Sequence, residues 1–241
     1  KLIDMNIHAE ILIGKAGDTG LKQKKQIETV QKFRDGIFQV LVATRVGEEG
    51  LDISEVNQVI FYDNVSGMLA ARGVWMLEYF SHPDVQMLDG GMKKWKKENR
   101  PIEKKQNPYQ PSKFSGKINP EIISSYEYIL DNIDTLKIID ARSDEEYDGT
   151  IVRAAQVGHI PKSVNIDWNL NINDDGAFKS DEELSKLYQI PKDTEIVTYC
   201  QGAYRASNTF LALKKLGFTN VRVYLGSWGE WGNKLDLPVE K

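Results

Sequence analysis

The chain carries a single cysteine, Cys200, among 241 residues, so no disulfide can form within it. Three scattered histidines and that one thiol compose no plausible zinc cluster. No uninterrupted apolar run approaches the ~20 residues needed to cross a bilayer. The beginning of the sequence has no signal-peptide pattern, and a reducing cytoplasm is the expected home. Positive charge is also in short supply. The formal net charge of −4 argues against a general affinity for nucleic acid or an anionic membrane. What remains is a chain long enough for one or two domains, each with ample apolar residue for a core.

Short β-branched runs alternate with helical patterns, which predicts an α/β fold of two domains, each with a mainly parallel sheet flanked by helices. Strands are expected in 9–14, 38–44, 57–63, 85–90, 136–142, 195–200 and 221–226. Helices are expected around Ile27, Val30 and Phe33, and over 205–217, where Ala206, Phe210, Leu213 and Leu216 recur at helical spacing. The proline- and lysine-bearing segment 100–117 suits neither element and reads as a linker. Asn119 and Pro120 should then cap and open a new helix. The expected domains are 1–105 and 119–241, joined by 106–118.

Two stretches share one plan. "VIFYDNVSGMLAARGVWMLEYFSHPDVQMLDGGMKKW" (59–95) and "IVTYCQGAYRASNTFLALKKLGFTNVRVYLGSWGEW" (196–231) each run strand, loop, helix, turn, strand, glycine and tryptophan. Asp63 stands in the first where Cys200 stands in the second. Such duplication predicts a tandem-domain protein with only one chemically equipped repeat.

If Cys200 ends a strand and a helix begins near Arg205, loop amides and the helix N-terminus converge on the sulfur. That setting favours a thiolate. Gly202 is expected to let the backbone turn tightly, and Arg205 to add positive charge. A lone cysteine can instead be a buried small hydrophobe, but Gln201, Gly202 and Arg205 beside it suit a core poorly.

"YCQGAYRAS" (199–207) and the closing "LKKLGFTNVRVYLGSWGEWGN" resemble the active-site loop and final segment of a tandem rhodanese, a thiosulfate sulfurtransferase. "IIDARSDEEYDG" (138–149) is similar to the Asp-x-Arg strand end of that family, and "GHIPKSVNIDW" (158–168) to its Gly-His-Ile-Pro turn. Residues 59–110 look like the second half of the family's inactive domain. The resemblance implies that Cys200 is the nucleophile and that Gln201, Gly202, Ala203, Tyr204 and Arg205 cradle the transferred sulfur. Arg142 becomes a candidate for the substrate anion, the alternative being an ion pair with Asp144 or Glu145. His159, Trp228 and Trp231 are read as structural. The implied partners are a small-molecule sulfur donor such as thiosulfate and an acceptor, cyanide or a thiol, with no metal or organic cofactor. Gln201 and Gly202 replace the basic residues that many thiosulfate-specific members carry after the cysteine. Only four residues separate Cys200 from Arg205. Cysteine phosphatases of related fold use five, and the tighter ring suits a sulfur atom better than a phosphoryl group.

Residues 1–58 lack the family's opening motifs. "GLKQKKQIETVQKFRDGIFQVLVATRVGEEGLDIS" (20–54) resembles instead part of the second RecA-like domain of Hef-like superfamily-2 helicases. Thr44, Gly47, Gly50 and Asp52 match its motif V. There is no phosphate loop, no Asp-Glu box and no arginine-finger segment, so ATP-driven unwinding is not expected. Lys22, Lys24 and Lys25 read as a solvated face rather than a nucleic-acid contact. Two interrupted patterns meeting near 59–64 suggest a recombined or designed chimera. The alternatives to sulfur transfer are an α/β scaffold with little activity and a nucleic-acid-binding helicase remnant.

Overall fold

The computed structural model describes residues 58–102 and 116–241, together with the backbone of two earlier strands, 9–12 and 40–43. The expected helix around Ile27, the motif V residues, Lys22, Lys24 and Lys25, and most of the linker lie outside the described residues.

Seven sequence-expected strands are present in two parallel sheets, as an alternation of β-branched runs and helices requires. The first sheet contains β1 (Ala9–Leu12), β2 (Val40–Ala43), β3 (Val59–Phe61) and β4 (Val85–Met87), in that spatial order. Helix α1 (Met68–Tyr79) joins β3 to β4, and α2 (Gly91–Lys97) follows. The second sheet has the order β5-β9-β8-β6-β7. Its strands are β5 (Ile123–Ser124), β6 (Lys137–Asp140), β7 (Val164–Asn165), β8 (Ile196–Tyr199) and β9 (Val221–Tyr224). Helices α3 (Tyr126–Asn132), α4 (Asp144–Tyr147), α5 (Asp181–Leu187), α6 (Tyr204–Lys215) and α7 (Ser227–Trp231) surround it.

The second sheet is covered on both faces, and successive side chains divide between them. Ile139 and Ile196 join one core with Phe210 and Leu213 of α6. Ile138, Val197 and Tyr199 join the other with Ile129, Trp228 and Trp231. The tryptophans therefore pack, as expected. His159 is also structural: its ring stacks on Tyr147, with centroids 3.6 Å apart.

The expected helix from Asn119 breaks into three parts. Asn119 does cap, accepting from the Glu121 amide, but only a 3-10 turn over Pro120–Ile122 follows. Ile123 and Ser124 then pair with Val223 and Tyr224, which pulls the backbone out of helical geometry. Ser125 restarts the chain as N-cap of α3.

The two repeats superimpose in plan but not throughout. β3, α1 and β4 correspond to β8, α6 and β9, and both helices have twelve residues. The remaining strands enter in opposite order. In the second sheet the inner strand β6 precedes the edge strand β7, whereas in the first the edge strand β1 precedes the inner β2. The front half of the first sheet is therefore not a copy of the front half of the second.

Helix α1 lies along α6 and joins the two sheets' cores. Trp75 belongs to the same buried core as Cys200, Ala203, Ala206 and Phe210, and its Nε1 donates to the Ile122 carbonyl at 3.1 Å. Glu78 pairs with Lys214 at 2.7 Å, and Asp89 accepts from the Phe178 amide at 2.7 Å. One face of the first domain thus reaches the cysteine loop of the second.

Candidate active site

Cys200 directly follows β8, and α6 starts four residues later at Tyr204. The turn between them is fixed by Ser227. Its Oγ accepts from the amides of Cys200 at 3.3 Å and Ala203 at 3.1 Å, and donates to the Tyr224 carbonyl at 2.8 Å. The amides of Trp228 and Gly229 donate to the carbonyls of Cys200 and Gln201 at 2.8 and 2.9 Å. The loop carbonyls are thereby drawn toward α7, away from the helix mouth.

The left-handed residue that makes the turn is Ala203, at φ 65°, rather than Gly202. Gly202 has neither a left-handed backbone nor a close neighbour. A Cβ built there meets no atom within 4 Å, so the loop is open above it. Ala203 is fully buried and tolerates a backbone conformation that costs an L-residue roughly 1–2 kcal/mol. Ser207 is the first residue of α6 whose amide bonds back into the helix, to the Ala203 carbonyl. The amides of Tyr204, Arg205 and Ala206 precede it and have no acceptor within the helix. No side chain caps them.

Cys200 is only 1% exposed and belongs to an apolar core, so it has the burial of a structural cysteine and the surroundings of a reactive one. Arg205, in the first turn of α6, is near enough to the sulfur for the two to interact electrostatically. Burial opposes the Arg205 charge, but Glu146 and Cys200 outweigh it and raise the guanidinium pKa above its ordinary value. Glu146 receives Arg205 through both oxygens and Arg153 at 2.8 Å. Burial acts to raise the Glu146 pKa, yet these arginines and the Ser143 amide hold it below the usual carboxylate range. Asp167 lies near the same arginine, and its pKa is raised by burial.

The structure brings Cys200, Gln201, Gly202, Ala203, Tyr204 and Arg205 into one loop and helix mouth. The Gln201 side chain reaches the Arg153 carbonyl at 3.3 Å, away from the open space over Gly202. Tyr204 is 49% exposed at the entrance. Arg142 stands elsewhere. It is buried, pairs with Asp140 at 2.6 Å, donates to the Gly158 carbonyl at 2.8 Å and lies over the Trp228 ring at 4.5 Å. Neither expected use of Arg142 is found: it pairs with neither Asp144 nor Glu145, and its guanidinium is not presented to a substrate. The cause is Asp140, a wholly buried carboxylate at the end of β6 that requires a cation beside it.

Sequence reasoning missed Arg72, Glu146, Arg153 and Ser227. Glu146 left a partial signal, since Ser143 and Glu146 have capping-box spacing. Arg72 left none, because it lies on α1 in the other repeat.

A cysteine at a strand-to-helix loop, with free helix amides and a paired arginine beside it, places the chain among α/β proteins suited to covalent cysteine chemistry on an anionic group. A family model, the rhodanese-like domain, matches residues 125–234. The sulfur carrier protein TtuD of Thermus thermophilus is 37% identical over 211 residues, covering 80% of this chain and 74% of that protein. A Haloferax volcanii protein named "Putative thiosulfate sulfurtransferase" is 34% identical over 238 residues, covering 93% of this chain and 82% of its own. The chain belongs to the rhodanese family. Among solved structures, the anaerobic ergothioneine biosynthesis enzyme of Chlorobium limicola matches with a TM-score of 0.70 at 22% identity, over 76% of this chain. This chain spans about half (51%) of that one, and the likeness is one of fold.

A second family model, the helicase conserved C-terminal domain, matches residues 6–89. That match runs past the seam expected near 59–64 and takes in β3, α1 and β4. The Haloferax alignment, at 93% of this chain, reaches in the other direction into residues 1–58. The two family models match separate stretches, 125–234 and 6–89, which fits a chimera, and the β3–α1–β4 unit lies within the helicase match. Among the described residues, no helix is long and apolar enough to cross a membrane.

Proposed function

We propose that the protein transfers a sulfane sulfur from thiosulfate to cyanide or a thiol through a persulfide on Cys200. The observation that carries this reading comes from the first repeat. There the Asp63 carboxylate accepts from the amides of Val65, Gly67, Leu69 and Ala70 at 2.8–2.9 Å. An anion at that position is thus what the loop and the helix mouth are arranged to hold. In the second repeat Cys200 stands at the corresponding place, and the donors of its helix mouth are left for a charge that arrives during reaction.

The chemistry proceeds in two displacements. The Cys200 thiolate attacks the outer sulfur of thiosulfate, the sulfur–sulfur bond breaks and sulfite leaves with the bonding pair. The resulting Cys200 persulfide anion lies at the mouth of α6, where the amides of Tyr204, Arg205 and Ala206 and the Arg205 guanidinium stabilise its charge. Cyanide or a thiolate then attacks the outer sulfur. Thiocyanate or a new persulfide departs, and the Cys200 thiolate returns. The open space over Gly202 admits the sulfur atom, and the apolar floor excludes water that would compete for the same donors.

Incubating the full chain with thiosulfate should add the mass of one sulfur atom, and cyanide should remove it as thiocyanate. Cys200→Ser should lose both while keeping its circular dichroism spectrum. Unchanged thiocyanate production by that variant, or no adduct on folded wild-type protein, would overturn the assignment.

A further inference from the structure

Several arginines lie around the cysteine loop, and among the described residues all but one have a charged partner. Arg205 and Arg153 share Glu146, and Arg142 pairs with Asp140. Arg72 is different. It comes from α1 of the first domain, its Nη1 is buried, and among the described residues that atom has no hydrogen-bond partner. A buried guanidinium N–H without an acceptor costs free energy comparable to a lost hydrogen bond.

Its position is nevertheless well determined. The guanidinium lies 4.6 Å from the centre of the Trp75 ring and 5.8 Å from that of Tyr204. Trp75 is held in turn by its bond to the Ile122 carbonyl and by stacking on Tyr79 at 5.5 Å. Arg72 therefore spans the two domains, with one aromatic contact in each. Tyr204 opens α6 directly after the cysteine loop, so this contact places Arg72 beside that loop. Burial lowers the Arg72 pKa, and Tyr204 and Cys200 act in the opposite direction.

We propose that Arg72 is the residue that grips the anionic end of the sulfur donor, so that the site is completed by the first domain. An oxyanion such as the sulfonate-like group of thiosulfate supplies the acceptor that Nη1 lacks. The donor's outer sulfur is thereby aimed at Cys200 while its charged end is bound across the domain junction. This deepens the sulfur-transfer reading and rests on it. It also assigns a chemical class: donors that carry a compact negative group next to the transferable sulfur. The departing anion, once formed, faces the same guanidinium, which then has to release it before the acceptor enters.

Reagents that modify Cys200 without any sulfur transfer test this separately. Methanethiosulfonates convert a thiolate to a mixed disulfide and expel methanesulfinate, whatever the protein's own reaction is. Two of nearly equal size differ in charge: the 2-sulfonatoethyl and the 2-(trimethylammonio)ethyl compounds. The full chain should react faster with the anionic one. In Arg72→Met the ratio of anionic to cationic rates should fall by about tenfold, the order expected for losing one partly desolvated charge. Arg72→Lys should keep most of it. KM for thiosulfate should rise in Arg72→Met by a similar factor, with a smaller change in kcat.

The ratio decides the matter, because a general loosening of the loop changes both rates together. A ratio that stays within twofold of wild type in Arg72→Met would overturn the assignment, as would a lysine variant that behaves like methionine. If the ratio falls as expected but thiosulfate leaves no sulfur on Cys200, the anion site stands and the sulfur-transfer reading falls.

Discussion

Glu146 receives the Arg205 guanidinium through both carboxylate oxygens, and it is almost wholly buried while doing so. The pair links α4 to the first turn of α6, so a residue outside the cysteine loop sets the direction of the arginine beside it. Arg153 adds a third charge on the exposed side of the same carboxylate. The ordering of the site therefore depends on a buried ion pair whose members are 59 residues apart in the chain.

Replacing Glu146 by Gln should leave two arginines facing one neutral amide. Breaking one partner of a buried pair costs about 3–5 kcal/mol, and Gln retains one acceptor, so a loss near the lower end is expected in urea unfolding. Sulfur loading of Cys200 should slow about tenfold as Arg205 swings away from its first-turn position. A variant as stable as wild type, with unchanged loading, would show that the pair does not hold the loop.

The same carboxylate gives the site an acid limit. Its pKa is lowered in the folded protein, so its contribution to stability is fully present above the ordinary glutamate value of 4.5. That contribution is lost as pH falls through the lower folded value, because the unfolded chain then binds the proton first. Unfolding midpoints measured across this acid range should drop more steeply for wild type than for Glu146→Gln. Parallel curves would mean that other carboxylates carry the acid sensitivity. Glu195, held below its usual range by Tyr128 and Arg222 against the effect of burial, contributes equally to both proteins.

Much of this architecture was legible because β-branched runs and helical stripes are local signals. The seven expected strands are present, and the Cys200 loop stands where a strand end and a helix start predict it. The two strands that were not foreseen, Ile123–Ser124 and Val164–Asn165, are too short to show a period and exist only through their neighbours. Their presence also broke the helix expected from Asn119. Turn chemistry misled at one position: glycine is the usual left-handed residue, yet Ala203 adopts that conformation and Gly202 does not. Arg142 was misread because charge type alone does not reveal a buried partner such as Asp140. Arg72 could not be read at all, since only the packing of α1 on α6 brings it near the thiol.

Asp63 offers the last test, because it joins the inert repeat to the reactive one. Its carboxylate answers four amides, those of Gly67 and Ala70 in buried bonds, and so fixes the start of α1. Asp63→Ala would leave those donors unpaired, with a destabilisation of about 3 kcal/mol or more. Asp63→Asn keeps an acceptor but not the charge, and should recover part of the loss. Because α1 carries Trp75 and Arg72 toward Cys200, loosening its first turn should also slow thiosulfate loading several-fold, even under conditions where both variants remain folded. Loading at the wild-type rate in a destabilised Asp63→Ala protein would separate the two repeats functionally. The first domain would then act as a support for the fold, and the contact between α1 and the cysteine loop would have no part in positioning the donor.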